Sequence, residues 1–144
     1  MENSPFNITS HSPEETIAAG EWLASWLHQG SVVALRGGLG VGKTYFTKGI
    51  ARGLGVQEEV TSPTYTMIAE YQGVLPLYHI DAYRLEGDAD FSSLGADEMF
   101  YGTGVSVIEW SERIPQSIPK DALIVEITLL EQNHRLITLR NIPE

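Results

Sequence analysis

Apolar residues recur along this chain at two spacings, and the switches between them mark out the elements. Ile17, Gly20, Leu23, Ala24 and Leu27 fall on one stripe of a helix. Ser12-Pro13-Glu14-Glu15 opens that helix as a capping box with proline at its first position, and Gly30 is the expected stop. Trp22 and Trp26 flank the stripe and read as core or helix-packing aromatics rather than a platform for stacked bases. The run Ser31-Val32-Val33-Ala34-Leu35-Arg36 then reads as a short buried strand. Helical spacing returns in residues 45–54, where Phe46, Gly49, Ile50 and Leu54 share a face and Gly53 and Gly55 are stop signals. Residues 65–71 and 74–80 read as two strands joined around Gln72-Gly73 in an antiparallel hairpin. Residues 86–104 mix acids, serines and glycines with Leu94, Met99 and Phe100, which predicts a loop with one or two short helices. Residues 105–108 form another apolar strand, ending at Glu109. Residues 122–130 and 135–139 alternate and predict a last hairpin around Gln132-Asn133-His134.

Between the first buried strand and the second helix lies Gly37-Gly38-Leu39-Gly40-Val41-Gly42-Lys43-Thr44, a complete Walker A box. Strand, glycine-rich loop, helix is the context that this motif requires. The glycines allow positive φ and close approach, so successive N–H groups can turn inward around phosphate oxygens. Lys43 brings a point charge to the β- and γ-phosphates, and the Thr44 hydroxyl can bind Mg²⁺. A helix starting at about Gly42 aims its positive end at the same anion, with Tyr45 in its first turn. A P-loop among parallel strands, with antiparallel hairpins at the edge, predicts a three-layer α/β P-loop NTPase fold. Its sheet is mixed and mainly parallel, and the nucleotide lies at the carboxyl ends of the strands. No repeat, low-complexity tract or linker divides residues 1–144, so a single domain is expected.

Composition narrows the classes. The chain has 144 residues, enough for one real core, and is 42% hydrophobic. No apolar run approaches the roughly 20 residues of a membrane span. No basic stretch leads into an apolar core at the start, and there is no cysteine. A cytoplasmic protein without a secretion signal, disulfides or cysteine-based metal sites is the expectation. A net charge of −10 argues against a free-standing nucleic-acid binder, which needs a basic face. The acids concentrate at Glu86, Asp88, Asp90, Asp97 and Glu98, either as a solvated loop or as a docking face for a basic partner.

A P-loop supplies only a cradle. Phosphoryl transfer also needs a metal, charge neutralisation and a positioned water. Val105-Ser106-Val107-Ile108-Glu109 has the Walker B pattern with Glu at the strand end, where a carboxylate can hold Mg²⁺ directly or through water. The bland reading of the same residue is a solvated strand-end acid. In His79-Ile80-Asp81-Ala82-Tyr83-Arg84, alternation points His79, Asp81 and Tyr83 one way. Asp81 can hold Mg²⁺ through water or orient the attacking water. Arg84 either neutralises the γ-phosphate in cis or pairs with a loop carboxylate. His79 reads as a structural histidine or a second layer behind the site, while His11, His28 and His134 are isolated and have no assigned role. Thr64 lies where switch segments carry a threonine sensing γ-phosphate and metal, although a Ser-Pro-Thr loop alone is just a turn.

The set is more distinctive than its parts. The Walker A box, Ser62-Pro63-Thr64-Tyr65-Thr66, His79-x-Asp81-x-Tyr83-Arg84 and Ile108-Glu109-Trp110 occur in this order over nearly the whole chain. This resembles the bacterial TsaE (YjeE) family, small ATPases required for making threonylcarbamoyladenosine on tRNA. The resemblance implies ATP with Mg²⁺, and implies that Lys43 and Thr44 hold phosphate and metal. It places Thr64 in a first switch, Asp81 at the catalytic acid position, Glu109 at the metal and Trp110 in a second switch beside the nucleotide. It implies partners of TsaB and TsaD type, contact with tRNA only through them, and hydrolysis that resets the complex. Two positions depart from the family pattern: Gly38, where an acid is common after the first P-loop glycine, and Tyr65, where Phe is common. The missing acid leaves a water-positioning or proton role at that position open, while a cradle of N–H groups does not need it.

Two other functions compete with an ATPase switch. A small-molecule kinase would need an Arg-rich lid and a substrate domain, and neither pattern is visible. A non-catalytic, nucleotide-dependent docking module is kept open by Gly38 and the acidic loop. The guanine-reading Asn-Lys-x-Asp element of GTPases is absent. Turnover by the isolated chain is expected to be slow, because a partner commonly completes such sites.

Overall fold

The computed structural model describes residues 5–38, 42–61 and 67–141. They form one seven-stranded sheet in the order β1-β7-β6-β2-β5-β4-β3. The strands are β1 (Phe6–Ser10), β2 (Val32–Arg36), β3 (Ile68–Tyr71), β4 (Leu77–Asp81), β5 (Val105–Glu109), β6 (Leu123–Leu129) and β7 (Arg135–Arg140). β6, β2, β5 and β4 run parallel through the centre, while β3, β7 and β1 add antiparallel edges. The mixed sheet with antiparallel edge hairpins expected from sequence is therefore the one found.

Period-2 alternation divides the strands between two cores. Val33, Leu35, Val105, Val107, Leu123 and Val125 face helices α1 (Pro13–Ala24) and α2 (Lys43–Gly53). Val32, Ile80 and Ile108 face the opposite layer. That layer is thin: a short helix α3 (Asp88–Ser93), the 3-10 segment Ala96–Tyr101 and the loop around Ile114. Phe91 and Phe100 stack within it at 5.7 Å between ring centres.

α1 and α2 cross closely because glycines line their contact. A Cβ on Gly49 would stand 2.0 Å from the Ile17 carbonyl oxygen, and one on Gly20 would stand 2.2 Å from that of Phe46. α2 begins at the end of the Walker A box, so this contact also fixes where Lys43 and Thr44 sit. The cap of α1 is as expected: Ser12 Oγ accepts from Glu15 N–H at 3.1 Å, with Pro13 at the first position. Glu15 reaches back one residue further than in the standard box, accepting from the His11 N–H at 2.7 Å.

The structure departs from the sequence reading at four points. α1 stops at Ala24 instead of running to Gly30, because Ser25 caps it and its hydroxyl donates to the Trp22 carbonyl. Leu27 still packs on the core from the turns that follow. Of the two readings of Trp22 and Trp26, the core one is excluded, since they are 39% and 41% exposed. Thr16, Ala19, Gly20, Leu23 and Ala24 take the buried face of α1, leaving Trp22 at the surface to stack on Phe6 at 5.4 Å and to meet Trp26 edge-on at 6.2 Å. β1, which the apolar pattern did not announce, pairs with β7 at the sheet edge. The first hairpin turn is also wider than Gln72-Gly73, since β4 starts only at Leu77. Among the described residues, no helix is long and apolar enough to cross a membrane.

Candidate functional site

β2 delivers the chain to the carboxyl edge of the sheet, and the loop that follows depends on glycine. Gly37 has φ +147° and Gly42 has φ +105°, values that L side chains rarely adopt. Leu39, Gly40 and Val41 lie outside the described residues, as does Thr64 in the 62–66 segment. Gly42 is the N-cap of α2 and supplies no side-chain cap, and the first turn carries no acid. The helix dipole therefore favours an anion at this end, with no acidic side chain in the first turn to oppose it. At Gly38, where the chain departs from the family pattern, an added Cβ would meet nothing within 4 Å among the described residues.

Lys43 is only 6% exposed. Its Nζ donates to the Gly37 carbonyl at 2.6 Å and sits 3.5 Å from the centre of the Trp110 ring. Burial pulls its ammonium below the ordinary lysine range, while the charges of Glu109, Glu112 and Asp81 push it up. Thr44 follows, half-buried in the first turn. Tyr45 is exposed on the rim. There it helps line a cleft of about 420 Å³ with Gly42, Ser12, Thr16, His11 and Asn133. That volume lies within the usual range of small-molecule clefts. His11 and His134 are not isolated: their rings meet edge-on at 4.4 Å beside this cleft.

The parallel register of β4 and β5 sets Asp81 directly opposite Glu109. Both are at strand ends on the α2 side, as Leu77, Val105 and Val107 are. Glu109 is 4% exposed and its Oε2 is hydrogen-bonded to Nε2 of His79, which is wholly buried. Asp81 is half-buried, and its Oδ1 accepts from the Tyr83 N–H at 3.0 Å. Burial holds its carboxyl above the ordinary range; the Tyr83 N–H opposes this, and the charge of Glu109 adds to it. Among the described residues no cluster of three or more His, Cys, Asp or Glu could hold a metal by itself. Two carboxylates and a threonine hydroxyl beside a Walker A box still fit Mg²⁺. That ion takes one or two carboxylates, phosphate oxygens and water.

β5 ends in a left-handed residue, Trp110, at φ +60°. This turn lays the indole over Lys43 and against Tyr83, at 4.8 Å. Tyr83 thus faces Trp110 from the turn after β4 instead of continuing the strand alternation of His79 and Asp81. Ser111, buried, donates to the Leu35 carbonyl at 3.0 Å and ties this turn to β2. Arg113 stacks 5.0 Å from the Tyr83 ring and 5.9 Å from the Trp110 ring. Arg84 is exposed on the turn after β4. Sequence reasoning chose Arg84 and passed over Arg113 and Ser111. Their signal was position alone, immediately after the Walker B acid.

The acidic stretch is partly structural. Asp88 accepts from the Ser117 N–H at 2.8 Å and its hydroxyl at 2.7 Å. Asp90 accepts from the Glu86 N–H at 2.9 Å. Glu86 and Glu98 are exposed.

The family model of Threonylcarbamoyl adenosine biosynthesis protein TsaE matches residues 10–137. A tRNA threonylcarbamoyladenosine biosynthesis protein TsaE of Treponema pallidum (strain Nichols) is 48% identical over 130 residues, covering 90% of this chain and 96% of that relative. The protein of the same name from Bacillus subtilis (strain 168) is 46% identical over 128 residues, covering 88% of this chain and 80% of its own length. The crystal structure of Bacillus subtilis YdiB matches with a TM-score of 0.82 and 38% identity, over 99% of this chain and 88% of that one. A match running from the approach to α1 into β7 takes in every candidate site residue, and with it this chain belongs to the TsaE family.

Proposed function

We propose that this chain binds and hydrolyses ATP with Mg²⁺, as the cytoplasmic ATPase subunit required for threonylcarbamoyladenosine formation on tRNA. The observation that carries this reading is the facing pair Asp81 and Glu109 at adjacent strand ends beside the Walker A lysine. Two acids held this close, one with its carboxyl raised by burial, are suited to a cation between them and phosphate.

The roles follow from position. The Gly37–Gly42 loop and the start of α2 grip phosphate through N–H groups, and Lys43 neutralises its charge. Thr44 and Glu109 would hold Mg²⁺, with Asp81 either holding it through water or orienting the attacking water. When bound, that ion would neutralise charge developing on the phosphate oxygens. The cleft beside Gly42 and Tyr45 takes the nucleoside end. Trp110 covers Lys43 and has to adjust when phosphate arrives, which suits a switch residue. With a net charge of −10 the chain acts on tRNA through partners of TsaB and TsaD type.

ATP hydrolysis by the chain alone, and then with TsaB and TsaD type partners, tests the reading. Slow turnover alone, strong stimulation in the complex and loss of both in Lys43→Ala are expected. A Lys43→Ala protein that still binds nucleotide and supports the modification would overturn it. Binding without turnover, even with partners present, would favour a docking module, and Gly38→Asp would then be the first restoration to try.

A further inference from the structure

His79 takes no part in the chemistry above, yet it is built into the site. It is 0% exposed, on the strand that ends in Asp81. In register it lies opposite Val107 on β5 and Ala69 on β3, which offer its ring no polar side-chain atom. Its hydrogen bond runs diagonally to Glu109, the next same-face position on β5. Two lone pairs would repel there, so Nε2 carries the proton and donates to Oε2. Nδ1 is then buried without a hydrogen-bond partner among the described residues. A histidine that only filled volume would bear that cost for nothing, since an apolar side chain avoids it. Its return is control of Glu109, a carboxylate with almost no solvent to hold it.

Resting on the ATPase reading, we infer that His79 is the positioning residue for Glu109 in Mg²⁺–nucleotide binding. One carboxylate oxygen is committed to the imidazole, which fixes the side chain and leaves the other oxygen to serve the cation. Groups that hold a ligating carboxylate in this way set metal affinity without touching the metal. His79 therefore acts on the metal and not on the phosphate grip, which belongs to the Walker A loop and Lys43.

The test is calorimetric titration of a non-hydrolysable ATP analogue with and without Mg²⁺, for the wild type, His79→Leu and His79→Gln. His79→Leu is expected to weaken Mg²⁺ binding by about 10- to 100-fold while metal-free nucleotide affinity stays within about twofold. Gln carries an amide N–H close to the Nε2 position, so His79→Gln is expected to recover most of the loss. Unchanged Mg²⁺ affinity in His79→Leu, or a parallel fall in metal-free affinity, overturns the inference. If His79→Leu does not fold, His79→Asn replaces it: its amide falls short of Glu109, and Asn and Gln variants of equal Mg²⁺ affinity overturn the inference too. A wild type whose binding gains nothing from Mg²⁺ removes both this inference and the ATPase reading. A Mg²⁺ gain in the wild type with no change in His79→Leu removes only the inference.

Discussion

Asp81 and Asp88 lie close together in the chain and are held in opposite ways. Asp88, at the start of α3, gives one carboxylate oxygen to both the backbone N–H and the hydroxyl of Ser117. It fastens the thin layer to the loop beyond β5. Asp81, at the end of β4, accepts from the backbone N–H of Tyr83 and faces the charge of Glu109. Burial leaves its carboxyl reluctant to ionise. Asp88 is given two donors that tie it into the fold, while Asp81 accepts from one backbone N–H at the strand-end site. The same contrast separates the two regions at large. The thin layer is apolar stacking with polar fasteners; the strand-end site gathers Lys43, Asp81 and Glu109, and burial opposes the charge of Lys43 and Asp81.

Three substitutions press on that contrast. The largest effect belongs to Phe91→Ala, in the thin layer. Phe91 is fully buried against Phe100, so its removal is expected to cost about 3–5 kcal/mol in denaturant unfolding. The molecules that remain folded should bind nucleotide as before. A drop in affinity per folded molecule would mean that the thin layer shapes the site and is more than its support. Asp88→Ala comes next, at about 2 kcal/mol, because both Ser117 donors lose their acceptor. Equal stability in the wild type and the variant would show that solvent replaces the fastener at no cost.

How much of this could be read beforehand follows the range of the forces. The Walker A loop, the cap of α1, the alternation of the strands and the acid ending β5 are signals within a few residues, and they were legible. The stop of α1 at Ala24 was not, because Ser25 competes for the Trp22 carbonyl in a way that apolar spacing does not register. β1 was missed because a five-residue edge strand with one buried position has little pattern to show. Asp81 and Glu109 were each chosen as strand ends, but their facing depends on the β4–β5 register, a non-local quantity. The place of Arg113 was not legible because it depends on a backbone detail: the left-handed Trp110 turns the chain so that Arg113 stacks on Tyr83. His79 was legible as a residue behind the site, but not that its partner would be Glu109.

The smallest effect, and the sharpest test, is Asp81→Asn. A carboxyl raised in the folded state binds its proton more tightly there than in the unfolded chain. Between the ordinary carboxylate range and that raised value, the folded state carries more of the proton, so stability falls as pH rises through the window. Above it the full penalty remains at neutral pH. Asn keeps the shape, and can still accept from the Tyr83 N–H, without the charge. Asp81→Asn should therefore melt slightly higher than the wild type at neutral pH, with the gap closing as pH falls below the ordinary carboxylate range. The same variant should lose hydrolysis more than ATP binding. Thermal melts at several pH values, alongside turnover and nucleotide titration, read all of this together. A variant that is less stable at neutral pH would place Asp81 with Asp88 among the fasteners of the fold. An equal loss of binding and turnover would instead assign Asp81 to the grip on the nucleotide.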